Sequence, residues 1–197
     1  MTGGILALDV ATTTGWAYGL PGARPQWGHF RAGKPGTPSG AIAAAFRTWL
    51  DDRCEEWQPR AVVFESPYVP EVTPRRVRTT QGRAVWTMPG GQPPININTL
   101  RRLITLCGLV EMTAAERRLV CREEAPNVIC RHFTGHGSWG GRAAKKAATI
   151  KMCQVYGWAT SDDNEADALA LWVYAEAALA PRHAARRGAG PLFARAG

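Results

Sequence analysis

The sequence predicts an α/β domain with a mixed central sheet of about five strands flanked by helices. Three observations predict it. Apolar runs at residues 5–8 and 61–64 read as buried strands. Between them Ile42, Phe46, Trp49, Leu50 and Trp57 recur at helical spacing, so the order is β-β-β-α-β with an amphipathic helix laid on a sheet. Each apolar run then stops at a carboxylate, Asp9 or Glu65, where a buried charge is costly without a partner.

The first strand turns at the hydroxyl-rich Ala11-Thr12-Thr13-Thr14-Gly15 and returns through Trp16-Ala17-Tyr18. Residues 27–32 form a third strand, and Ser39 is the expected N-cap of the helix that Pro59 ends. If strands one and four are parallel neighbours, Asp9 and Glu65 lie together at one sheet end and repel each other unless a cation joins them. Residues 66–95 read as a long Pro/Gly/Arg-rich insertion loop. It interleaves Arg75, Arg76, Arg78 and Arg83 with Tyr68 and Trp86, a composition suited to phosphate contact and base stacking.

Asn98 is the expected cap of a helix with a stripe of Leu103, Cys107 and Val110, flanked by Leu100, Ile104 and Met112. Residues 117–122 predict another strand, and Pro126 opens a short helix. A further helix begins near Arg142. Its expected apolar positions are Ala143, Ala147, Ile150 and Val155, and it carries Lys145 and Lys146. After Pro181, residues 182–197 read as a basic tail lacking periodicity, which leaves 1–181 as the domain proper.

Composition narrows the functional class. Hydrophobic content of 45% with eight Trp excludes a disordered chain. No apolar run approaches a membrane span, so no membrane partner is expected. Five scattered cysteines without a C-x-x-C pair, and no signal-type segment, predict reduced thiols in a cytoplasmic compartment. The excess of 24 Lys+Arg over 16 Asp+Glu gives a formal net charge of +8 and favours an anionic partner, nucleic acid first.

The last helix supplies the remaining acids. Asp162 and Asp163 suit a helix start. Asn164 and Asp167, however, lie along the stripe Ala168, Leu171, Trp172, Ala175 and Leu179, and so are expected to point at the sheet. Asp163 sits one turn from Asp167 and could share its side. Oxygen ligands gathered from distant segments suit hard cations, Mg²⁺ or Mn²⁺. A pair of such ions activates water against a phosphodiester and stabilises the leaving oxygen.

The ordered set Leu8-Asp9, Thr14-Gly15-Trp16-Ala17, Val62-Val63-Phe64-Glu65, Gly108-Leu109-Val110, Phe133-Thr134-Gly135, Gly141-Arg142-Ala143-Ala144-Lys145-Lys146 and Glu165-Ala166-Asp167-Ala168-Leu169-Ala170 resembles the RuvC family of Holliday-junction resolvases. That family belongs to the RNase H-like fold, and its phage-type members resemble this chain most. The resemblance implies a Mg²⁺-dependent endonuclease, with two ions per active site, that resolves four-way DNA junctions as a homodimer in a bacterial or phage-infected cell. It makes Asp9, Glu65 and Asp167 catalytic metal ligands. The family's fourth acidic position falls on Asn164, so either Asn164 ligates through its carbonyl or Asp163 takes over. Lys145 matches a basic residue near the scissile phosphate, and Lys146 adjoins it. For the family's other such lysine, Arg131 is the nearest counterpart.

Rival readings are a nuclease acting on other branched DNA or on RNA–DNA hybrid, a non-catalytic junction-binding protein, and an ATPase of the actin or sugar-kinase type. The ATPase shares the Asp-plus-Thr-rich first turn but carries a late Gly-Gly nucleotide motif, where this chain is acidic.

Overall fold

A computed structural model describes residues 3–67, 75–78, 84–87, 97–136 and 141–188. Three strands come first, β1 (Ile5–Asp9), β2 (Thr13–Gly19) and β3 (Gln26–Arg31), followed by α1 (Ser39–Trp57) and β4 (Ala61–Glu65). After a hairpin of β5 (Arg75–Arg78) and β6 (Ala84–Thr87) come α2 (Ile97–Glu116) and β7 (Val120–Glu124). Four helices finish the chain: α3 (Pro126–Thr134), α4 (Arg142–Val155), α5 (Asp163–Leu179) and α6 (Pro181–Gly188). The main sheet has the order β3-β2-β1-β4-β7. The β1–β2 and β2–β3 pairs are antiparallel, and β1–β4 and β4–β7 are parallel, so the sheet is mixed as the sequence predicts.

Strand alternation divides the core into two layers. Ile5, Ala7, Ala17 and Val63 face α5 and its neighbours, whereas Leu6, Leu8, Val62 and Phe64 face α1 and α2. The fully buried Trp172 of α5 donates its indole N–H to the Ile5 carbonyl at 3.1 Å, tying the helix to the central strand. α5 is covered on nearly every side because β1 and β2 pack on one flank and α3 and α4 on the other. That is why its apolar residues exceed a single stripe.

Several local expectations are corrected. Residues 66–95 are not loop throughout, since β5 and β6 pair antiparallel from Arg75↔Thr87 to Arg78↔Ala84. Tyr68 and Arg83 lie outside the described residues. Pro38, not Ser39, is the N-cap of α1, and Asn98 sits inside α2 rather than before it. α2 buries Leu106, Cys107, Val110, Thr113 and Ala114, and it turns Ile104 and Met112 outward. On α4 the buried residues are Thr149 and Cys153, while Ala143, Ala147 and Val155 are exposed. Pro181 ends α5 but starts α6, because proline at a first turn needs no N–H partner. No helix among the described residues is long and apolar enough to cross a membrane.

One contact sets where α5 starts. A Cβ added to Gly15 would fall 1.9 Å from the backbone oxygen of Asn164, so the first turn of α5 rests directly on the β2 backbone. Gly15→Ala is expected to cost about 2–3 kcal/mol, since backbone must move to admit the methyl. Gly40→Ala, with open space around it in the first turn of α1, is expected to stay within about 0.5 kcal/mol. Urea unfolding of both variants checks the contrast; equal midpoints would remove the close approach.

Candidate active site

The parallel register places the acidic residues in one row. Leu8 pairs with Phe64, so Asp9 and Glu65 come next to each other where β1 and β4 end. Asp9 is also opposite Gly15, Gly15 is opposite His29, and Glu65 is opposite Glu124. Alternation from Ala7 and Val63 turns this row towards α5. Next to Asp9 in this row Gly15 has no side chain, and there the start of α5 rests on the strand, with Asp167 one turn further along the helix.

The three acids act on one another electrostatically. Burial pushes the Asp9 carboxyl well above its ordinary value, and repulsion from Glu65 and Asp167 adds to it. Burial, joined by repulsion from Asp167, carries Glu65 up to about 7 against the pull of Lys145. Asp167 is raised chiefly by burial, opposed by Lys145, Lys146 and Arg142. Lys145, in the first turn of α4, acts on all three. As whole residues Asp9, Glu65 and Asp167 are each half-buried.

Nearby acids have other commitments. Asp162 is the N-cap of α5 and accepts from Glu165 N at 2.9 Å. Asp163 forms an ion pair with Lys146, and Asn164 donates its amide to Asp162 Oδ2 at 3.3 Å. Arg131 is exposed on α3 and is not among the cations acting on the three carboxylates. Arg75, Arg76 and Arg78 lie on β5 and Trp86 on β6.

Two further groups were missed in the sequence. His29 Nδ1 lies 3.0 Å from Glu165 Oε1 and 3.5 Å from Asp162 Oδ2, latching β3 to the start of α5. Their ligand atoms lie within 4.8 Å of one another, a spacing a metal could use. Buried Glu165 is already occupied, however, accepting from Ser161 N and Ser161 Oγ at 2.7 Å each. The trio therefore acts as a helix-start latch. Only its Asp162-x-x-Glu165 spacing, a capping-box signal, was visible in the sequence. Glu124, beside Glu65 in the row, faces Tyr174 closely enough to help raise its hydroxyl above the ordinary tyrosine value, burial being the larger cause.

Carboxylates gathered where the central parallel strands end, beneath the start of a crossing helix, define an α/β protein with an acidic cluster at one sheet end. No protein-family model and no curated protein matches the chain. Solved structures do. Thermus thermophilus RuvC superposes with a TM-score of 0.60 at 16% identity, covering 89% of this chain and 95% of that one. T. thermophilus RuvC in complex with Holliday junction substrate gives 0.57 at 12% identity, over 90% and 95%. The yeast mitochondrial Holliday junction resolvase Ydc2 gives 0.54 at 10%, over 93% and 83%. The chain therefore has the RNase H-like fold of these structures, at identities that establish fold alone.

The raised acids make apo stability depend on pH. Folded Glu65 keeps its proton up to about pH 7, whereas an ordinary glutamate releases it near 4.5. The folded state thus binds more protons between those values, and its stability falls as pH rises through that window. In EDTA, Glu65→Gln is expected to flatten this fall and to raise the thermal midpoint near pH 8 by roughly 2–4 °C. Scanning calorimetry from pH 5 to 8 checks it; an unchanged slope would count against the buried charge.

Proposed function

We propose that the protein is a divalent-metal-dependent DNA endonuclease that resolves four-way junctions. The observation that carries this is the group of half-buried, mutually repelling acids Asp9, Glu65 and Asp167 on an RNase H-like fold. A site of oxygen donors alone, short of neutralising charge, fits Mg²⁺ or Mn²⁺. Asp9, Glu65 and Asp167 would hold the ions. Asn164 is favoured as the fourth ligand over Asp163, because its donated amide leaves the carbonyl oxygen for a cation while Asp163 is tied to Lys146. Two bound ions at such a site supply an activated water and charge stabilisation of the leaving oxygen.

The chain's own groups do the rest. Lys145 binds the scissile phosphate beside the acids and offsets charge as it develops. Lys146 stays paired with Asp163 and steadies the first turn of α4. The β5–β6 hairpin, bearing Arg75, Arg76, Arg78 and Trp86, contacts the branched substrate. The solved structures named for Holliday junctions, and the net charge of +8, support DNA as the partner.

Paired nicking requires two copies. Ile97, Ile104 and Met112, exposed at 64%, 51% and 43%, form one outward stripe on α2, and Gly108 between them opens onto empty space. This stripe faces the second subunit. Ile104→Glu is expected to convert a dimer to a monomer in sedimentation, and a monomeric wild type would refute the interface.

Synthetic junction, fork and duplex substrates test the activity. Asp9→Asn is expected to lower Mg²⁺-dependent cleavage at least ~10³-fold while junction affinity stays within about threefold. Equal loss of both, or cleavage in EDTA, would contradict the metal role.

A further inference from the structure

A second cationic element stands at the hairpin tip that follows β1. Residues 10–12 join β1 to β2 directly after Asp9. Thr14 holds the turn, its Oγ1 donating to Ala11 O at 2.7 Å, and Ala32 N donates to Thr12 O at 2.9 Å. Two guanidiniums reach adjacent threonines there. Arg102 of α2 donates through Nη1 to Thr12 Oγ1 at 3.3 Å, and Arg31 of β3 through Nε to Thr13 Oγ1 at 3.5 Å.

Their partners are uncharged, as are the Gly157 and Leu179 carbonyls that accept from Arg24 and Arg60. Arg47, Arg53 and Arg117, on or just beyond α1 and α2, are all paired with carboxylates. Arg102 and Arg31 meet only neutral hydroxyls among the described residues. Arg102 Nε is moreover buried with no hydrogen-bond partner there. A half-buried guanidinium with an unmet donor and no counter-charge is destabilising unless an anion completes it. It is also held in place, so its fork is pre-oriented for an oxyanion. α2 and α4 pack on opposite faces of the sheet, and Thr12, which holds Arg102, follows Asp9 by three residues in the turn after β1.

We propose that Arg102, assisted by Arg31 and the Thr12 hydroxyl, grips a backbone phosphate of the nucleic-acid strand on the α2 side of the acidic cluster, next to the phosphate at Lys145. Thr12 Oγ1 accepts from Arg102 and keeps its own proton to donate to the same phosphate. The strand is thereby held on both sides of the point of cleavage. This inference rests on the reading of the acidic cluster as a nuclease site.

The test measures binding of a fluorescent four-way junction in EDTA across a salt series. Arg102→Ala is expected to weaken binding about tenfold and to lower the slope of log affinity against log salt by about one, the signature of one lost phosphate contact. Arg102→Lys is expected to keep the slope. Thr12→Val, which removes the tether but not the charge, is expected to keep it as well. A single methylphosphonate next to the cleaved position is expected to weaken the wild type and leave Arg102→Ala unchanged. A wild-type slope in Arg102→Ala, or a slope lowered as much by Thr12→Val, would overturn the contact. Asp9→Asn separates the two readings: persistent cleavage in that variant sinks the metal site while the Arg102 contact stands. A wild type that binds no junction sinks both.

Discussion

The close approach of α5 to β2 is the constraint on which the rest of the molecule depends. At Gly15 the sheet presents bare backbone, and the carbonyl of Asn164 fills the space a side chain would occupy. His29 and the Asp162–Glu165 cap fix the helix there from the neighbouring strand. With that start point set, helical geometry alone carries Asp167 one turn inward over Asp9 and Glu65. The parallel register of β1 and β4 has already put those two side by side.

The fold thus works against itself at one place. It encloses three acids that repel one another, although burial alone already disfavours their charged forms. Elsewhere several buried polar groups are answered: Trp172 by the Ile5 carbonyl, Glu176 by Gly22 N, Glu165 by Ser161. At the strand ends Lys145 acts on all three acids, and Lys146 and Arg142 act on Asp167 as well. Such local conflict in an otherwise consistent fold is where function is expected. A divalent ion bound there, as proposed, would resolve it, and stability and activity would then share the same ligands.

Legibility in the sequence followed the range of the interaction. Asp9 and Glu65 could be read because each ends a local apolar run, and Asp167 because it interrupts a helical stripe. The mixed sheet followed from the order of those runs. His29, Glu124 and the role of Gly15 depend on cross-strand register, which one sequence does not display. The outward turn of Ile104 and Met112 was hidden because apolar residues surround α2, and only packing decides which of them are covered. The β5–β6 hairpin was masked by proline and glycine, which read as loop. α6 was missed because a basic, proline-led segment has no apolar stripe to announce a helix.

Calorimetric titration with Mg²⁺ near pH 6.5, in buffers of different ionisation enthalpy, tests the central claim most directly. Acids held protonated by burial and mutual repulsion must give up protons when a cation binds them. The expected result is saturable binding with proton release that shrinks in Glu65→Gln. Mg²⁺ binding without proton release, or no binding by the wild type, would contradict the shared acidic site.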